Sequence, residues 1–201
     1  MNARLAAALL AALLAAPALP ASAQDHARAR QIVGGKCFLC HGMTGESSSE
    51  VYPRLAAQNA AYVAKQLRDF QSGRRKGTTM NDMVAGLSAE DMDALGRFYA
   101  AQTAEPHAPG DADLAAMGRY LYGKGNSFSG VAACASCHGP KAAGTEILPR
   151  LAGQQAAYLE EQLKLFNKRE RNNDNAVMHS IATKLTALEI RSLAEYLASL
   201  P

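Results

Sequence analysis

The chain has 201 residues, of which 48% are hydrophobic, 6% aromatic and 19% charged, with no tryptophan and four cysteines. Its 21 basic and 18 acidic side chains leave a net charge of +3, and with no basic stripe and no aromatic stacking set this argues against nucleic acid as a partner. The four cysteines fall in two short motifs, which leaves none for a disulfide scaffold.

Residues 1–23 stand apart by composition. Arg4 is followed by an Ala/Leu run from Leu5 to Ala16, and Pro17 and Pro20 break it before Ala21-Ser22-Ala23. This pattern predicts a secretory signal peptide with cleavage before Gln24. The apolar run is shorter than the roughly 20 residues that span a bilayer, so the mature chain is expected to be soluble and exported to a bacterial periplasm. Losing Arg4 leaves 20 basic and 18 acidic residues, too evenly spread between the two halves to orient a partner.

Cys37-Phe38-Leu39-Cys40-His41 comes next, and it returns as Cys134-Ala135-Ser136-Cys137-His138. Two cysteines separated by two residues and followed at once by histidine have the spacing of covalent haem attachment. Both thiols add to porphyrin vinyl groups, and the histidine reaches the iron as proximal ligand. Structural zinc and a redox dithiol fit less well. Zinc ribbons bring their pairs within roughly 15–20 residues, whereas Cys134 follows Cys40 by 94. A dithiol gives no reason for histidine in the fifth place twice over. Export agrees with haem, because c-type attachment in bacteria takes place outside the cytoplasm.

Superposing the motifs reveals a tandem repeat with a period near 97. Pro53-Arg54-Leu55-Ala56-Ala57-Gln58 returns as Pro149-Arg150-Leu151-Ala152-Gly153-Gln154, and Tyr62, Gln66, Leu67 and Phe70 return as Tyr158, Gln162, Leu163 and Phe166. The reading is two domains, 24–104 and 112–201, joined by a linker over 105–111 that contains Pro106 and Pro109. Apolar residues at three- and four-residue intervals predict an all-α chain with no convincing strand. The last helix of each copy opens on a capping pattern, Ser88-x-x-Asp91 or Thr186-x-x-Glu189. It turns Met92, Leu95, Phe98 and Tyr99, or Ile190, Leu193, Tyr196 and Leu197, inward.

An iron held by one histidine needs a sixth ligand, and a thioether gives a six-coordinate, high-potential site. Met178, 40 residues after His138, is the methionine of the C-terminal stretch; Met80 lies 39 after His41. Met83 rivals Met80, but Met80 and Met178 each lie eight residues before their capping residue, whereas Met83 aligns with Ile181. His179 is a weaker alternative to Met178. His26 and His107 read as solvated surface, and Met43 and Met117 as packing. Pro53 and Pro149 follow their histidines by twelve and eleven residues, and a carbonyl there suits the second imidazole nitrogen. A turn proline without a haem role is the other reading.

The two haem motifs, the Pro-Arg-Leu-Ala-x-Gln segments, the Tyr-x-x-x-Gln-Leu helices and the placed Met80 and Met178 together resemble the di-haem cytochrome c4 family over residues 25–200. The resemblance implies two class I cytochrome c domains related by a pseudo-twofold axis, each around one covalent haem c, with propionate edges near the interface. It supports Pro53 and Pro149 as carbonyl partners of the histidines. It also implies a periplasmic electron carrier, free or loosely membrane-associated. Such a carrier takes electrons from a quinol–cytochrome c oxidoreductase or a dehydrogenase and passes them to a terminal oxidase or other acceptor. The alternative is a haem subunit of an enzyme such as flavocytochrome c sulfide dehydrogenase. A di-haem peroxidase fits less well, because each copy has a matched methionine.

Overall fold

Residues 21–105 and 110–201 are described by a computed structural model, and they form two successive helical units. The expected leader lies outside the described residues except for positions 21–23, as does the middle of the linker with His107. The first unit comprises α1 (Ala21–Ile32), a π-helical turn (Val33–Cys37), α2 (Phe38–His41), α3 (Ala60–Gln71), α4 (Met80–Met83) and α5 (Ala89–Ala100). The second comprises α6 (Ala112–Lys124), α7 (Ala135–His138), α8 (Ala156–Asn167), α9 (Val177–Ala182) and α10 (Ala187–Ala198).

The capping patterns fix where α5 and α10 begin. Ser88 Oγ accepts the Asp91 N–H at 3.1 Å while the Asp91 carboxylate accepts the Ser88 N–H at 3.2 Å. Thr186 and Glu189 make the same exchange at 3.2 and 2.8 Å. Each box satisfies donors that a helix start otherwise leaves unpaired.

These two helices organise the cores. In the first unit α1 and α3 pack on α5, and in the second α6 and α8 pack on α10. Met92, Leu95, Phe98 and Tyr99 are buried, as are Ile190, Leu193 and Leu197, with Tyr196 partly so. Glycine permits the closest approaches. A Cβ on Gly96 would lie 2.4 Å from the Ala60 carbonyl oxygen, and one on Gly118 only 1.8 Å from that of Ser192. Each unit keeps its own apolar cluster, and Cys37 packs against the first and Cys134 against the second. Met43 and Met117, expected to pack, are 49% and 41% exposed instead. The Met117 sulfur lies 3.2 Å from the Ser192 hydroxyl at the edge of the α6–α10 contact.

The units differ where the chain enters the cysteine motif. The first runs straight from α1 through the π-helical turn. The second inserts a loop closed by paired Asn126 and Val131, an isolated antiparallel bridge and the one β pairing among the described residues. No helix among the described residues is long and apolar enough to cross a membrane.

The units meet through reciprocal hydrogen bonds. Gln154 accepts the Arg54 N–H at 2.7 Å and donates to the Arg54 carbonyl at 2.9 Å. Gln58 does the same to Arg150, at 2.8 and 2.9 Å. Both glutamines are buried. The exchange has the twofold pattern expected when two copies of one sequence segment face each other.

Candidate functional site

Each cysteine motif is wound as a single helical turn, α2 or α7, ending on its histidine. The Gly42 N–H closes the first turn on the Phe38 carbonyl at 2.9 Å, and the Gly139 N–H closes the second on that of Ala135 at 3.0 Å. A helical turn brings residues three and four apart onto one face, so both cysteines and the histidine share a side.

The Pro-Arg-Leu-Ala segment is strapped back over this turn. Gly45 O accepts the N–H groups of Leu55 and Ala56 at 2.7 and 3.1 Å, and Ala142 O accepts those of Leu151 and Ala152 at 2.8 and 3.1 Å. The strap sets the Pro53 carbonyl 3.0 Å from His41 Nδ1 and the Pro149 carbonyl 3.3 Å from His138 Nδ1. A carbonyl only accepts, so Nδ1 carries the hydrogen in both rings and Nε2 keeps its lone pair. Burial pushes the pKa of both imidazoles below the ordinary value, with the proline carbonyls pulling the other way. Each ring is thus oriented and has one nitrogen left to bind a metal.

The thiols are not set up as a redox dithiol. Burial pushes the Cys37 thiol up, against the opposing pull of Tyr99 and Lys36, and pushes Cys134 up to about 11. A reactive dithiol needs the reverse, a pKa lowered toward neutrality. Among the described residues no three His, Cys, Asp or Glu side chains gather to hold a bare metal ion. A haem brings four nitrogens of its own, so a pair of free thiols and one free imidazole nitrogen per unit fit that group.

Met80 and Met178 sit on the short helices α4 and α9. Met80 is half-buried, whereas Met83, on the same helix, is 41% exposed. The residues after the two methionines match in role. Asn81 Nδ2 donates to the Phe70 carbonyl at 2.6 Å, and His179 Nδ1 donates to that of Phe166 at 2.9 Å. Each tethers its helix to the end of α3 or α8. His26 is exposed, with its ring edge-on to Phe98 at 5.6 Å.

A cluster missed in the sequence lies between the units. Arg75 donates to Gln66 at 2.7 Å and, across the interface, to Tyr158 and Gln162 at 2.9 Å each. Arg171 donates to Gln162 at 2.7 Å and across to Tyr62 at 2.8 Å and Gln66 at 3.3 Å. Each guanidinium stacks on a phenylalanine of its own unit, Phe70 at 4.6 Å and Phe166 at 4.5 Å. Both are buried, and the hydrogen-bond partners recorded for both are neutral side chains. The repeat carries the signal that finds them, because Arg171 follows Arg75 by the same 96 positions that separate Gln162 from Gln66.

The sequence pattern of the cytochrome c family matches residues 115–201. The chain is 39% identical to cytochrome c4 of Thiocapsa roseopersicina over 172 residues, 83% of this chain and 88% of that one. It is 37% identical to the thiosulfate dehydrogenase electron acceptor of Thiomonas intermedia, over 98% of this chain and 90% of the relative. Among solved structures, reduced cytochrome c4 from Pseudomonas stutzeri superposes with a TM-score of 0.82 at 31% identity, covering 88% of this chain and 98% of that one. Thiosulfate dehydrogenase from Marichromatium purpuratum superposes at 0.79 with 33% identity, over 88% of this chain and 40% of its own.

Proposed function

The chain belongs to the di-haem cytochrome c4 family, as an electron-transfer protein with two covalently attached haem c groups, and from that premise we propose the ligands. Cys37 and Cys40 anchor one haem and Cys134 and Cys137 the other, with His41 and Met80 as axial ligands of the first iron and His138 and Met178 of the second. The observation that carries this reading is the pair of buried imidazoles, each with Nδ1 tied to a proline carbonyl and Nε2 left as donor. The repeat favours Met80 over Met83 and Met178 over His179: Met80 and Met178 each stand eight residues before their capping residue, whereas Met83 aligns with Ile181 and His179 with Asn81. The carrier domains are assigned to residues 24–104 and 112–201, supported by an apolar cluster in each.

Haem iron supplies the one-electron ferric/ferrous couple. The chain's own residues set where it works. The proline carbonyls hold the imidazoles in one tautomer and raise their basicity as ligands. Arg75 and Arg171 place two cations at the interface, held by the hydroxyls of Tyr158 and Tyr62, where they would offset the acidic edge of a haem bound nearby. With a histidine and a methionine held for each iron, no position would remain open for a substrate, which supports a carrier of electrons.

The proposed setting is the periplasm, reached with residues 1–23 as leader. There the carrier takes electrons from a quinol-oxidising complex or a dehydrogenase and passes them to a terminal oxidase or other acceptor. Near full-length similarity to a thiosulfate dehydrogenase electron acceptor favours a dehydrogenase as donor. The test is a redox titration of the holoprotein followed by its visible spectrum, with a carbon monoxide challenge. Two low-spin, high-potential haems that ignore carbon monoxide are expected. A high-spin or carbon-monoxide-binding haem would overturn the ligand assignment at that iron.

A further inference from the structure

We propose that Gln58 and Gln154 are crossed positioning residues, each setting the electron-donor strength of the proximal histidine in the other domain. The proposal rests on His41 and His138 being iron ligands. The peptide unit between Pro53 and Arg54 is bonded at both ends. Its carbonyl accepts from His41 Nδ1 at 3.0 Å, and its N–H, that of Arg54, donates to Gln154 Oε1 of the second domain at 2.7 Å. The unit between Pro149 and Arg150 mirrors it, accepting from His138 Nδ1 at 3.3 Å and donating to Gln58 Oε1 at 2.8 Å.

Hydrogen bonds in such a chain polarise one another. An acceptor on the amide N–H makes the carbonyl of the same unit more negative, so the carbonyl pulls harder on the imidazole hydrogen. The ring gains imidazolate character, donates more electron density to iron and favours the ferric state. Gln154 therefore lowers the potential of the first haem and Gln58 that of the second.

The geometry is locked. Each glutamine also donates from Nε2 to the carbonyl of the same arginine, at 2.9 Å in both directions. Its Oε1 also accepts the N–H of its own following residue, Gln155 or Asn59, at 3.0 Å. Both glutamines are 6% exposed, so water is poorly placed to replace them. Either domain's potential thus depends on the other domain being docked.

The experiment is a redox titration of the reduced-to-oxidised holoprotein by proton NMR, for Gln154→Met, Gln58→Met and Gln154→Glu, with each haem assigned through contacts of its histidine Nδ1 proton. In Gln154→Met the first haem's potential should rise and the His41 Nδ1 proton move upfield, with the second haem unchanged. Gln58→Met should do the reverse. Gln154→Glu puts a stronger, charged acceptor on the Arg54 N–H, so the first haem's potential should fall and the His41 Nδ1 proton move downfield; this variant decides the matter if the methionine variants fail to fold. Shifts in the haem of the mutated domain, equal shifts in both, or no shift would overturn the proposal. The ligand reading has its own check: a first haem that stays low-spin and unchanged in His41→Ala refutes that reading, and the proposal with it.

Discussion

Arg171 donates to the hydroxyl of Tyr62 across the interface at 2.8 Å, and Arg75 returns the bond to Tyr158 at 2.9 Å. Each tyrosine hydroxyl thus anchors a buried cation of the opposite unit. Removing it leaves a charged donor short of one partner, which costs about 2 kcal/mol. Tyr62→Phe and Tyr158→Phe are each expected to lower the melting temperature by roughly 4–8 °C, which calorimetry measures. A change below about 1 °C would show these bonds to be dispensable.

The same guanidiniums bear on the redox chemistry. A buried cation favours the ferrous state, which carries one positive charge less than the ferric. Arg75→Met and Arg171→Met fill similar volume without charge, so each is expected to lower the potentials in a voltammetric titration. For one electron, about 40 mV corresponds to ~1 kcal/mol of lost stabilisation. Unchanged potentials would mean the cations serve docking alone.

Met178 and His179 can be told apart by paired substitutions. Met178→Ala should leave haem attached but open the second iron to carbon monoxide and lower its potential. His179→Asn installs the residue type that stands at Asn81, whose amide already bonds the equivalent carbonyl at 2.6 Å. That variant should keep a low-spin spectrum and lose less than ~1 kcal/mol of stability. Met80→Ala should repeat the effect of Met178→Ala at the first iron, and Met83→Ala should change neither spectrum nor potential. Loss of the low-spin spectrum in His179→Asn would reverse the assignment.

What was legible in the sequence is what local spacing determines. Residues at i, i+3 and i+4 share a helical face wherever the helix sits, so the cysteine–histidine motifs and the capping boxes at Ser88 and Thr186 can be read without the fold. The spans from His41 to Pro53 and from His138 to Pro149 are also in the sequence, and the carbonyls there lie 3.0 and 3.3 Å from the rings. Arg75, Arg171, Gln58 and Gln154 repeat just as faithfully. Their roles stayed hidden because their partners are about a hundred residues away in the other copy, and local periodicity does not say how two copies face each other. The bridge between Asn126 and Val131 escaped for the opposite reason: one residue pair is too short a signal for strand periodicity.

The helix crossings make a sharp test of packing. A Cβ at position 118 would sit 1.8 Å from the Ser192 carbonyl oxygen and 2.8 Å from Tyr196 Cβ, so α6 and α10 must move apart to admit it. Gly118→Ala is expected to cost about 3 kcal/mol, and Gly96→Ala, at 2.4 Å from Ala60 O, about 2 kcal/mol. Gly123, on the same helix, meets nothing within 4 Å. There alanine should be neutral or stabilise by up to ~1 kcal/mol through helix propensity. Chemical denaturation of the three variants gives the ordering, and a tolerated Gly118→Ala would mean that the helices do not cross there.

Acid should loosen the protein through its capping carboxylates. The Arg28 hydrogen bond holds Asp91 below its ordinary pKa, outweighing burial. At Glu189 burial pulls upward, but bonds from the Thr186 N–H, the Asn126 amide and the Thr186 hydroxyl outweigh it, and its pKa is lowered too. Both groups are more acidic folded than unfolded, so the unfolded chain binds more protons in this range. Their contribution is complete above the ordinary carboxylate pKa of about 4 and disappears as pH falls through the depressed native values. The melting temperature is therefore expected to fall below about pH 5. Glu189→Gln removes one titrating group while keeping a capping side chain, and should flatten that fall with little loss at neutral pH. Ser88→Ala and Thr186→Ala should each cost about 1 kcal/mol at neutral pH. An acid limb of the same slope in Glu189→Gln would place the titrating groups elsewhere.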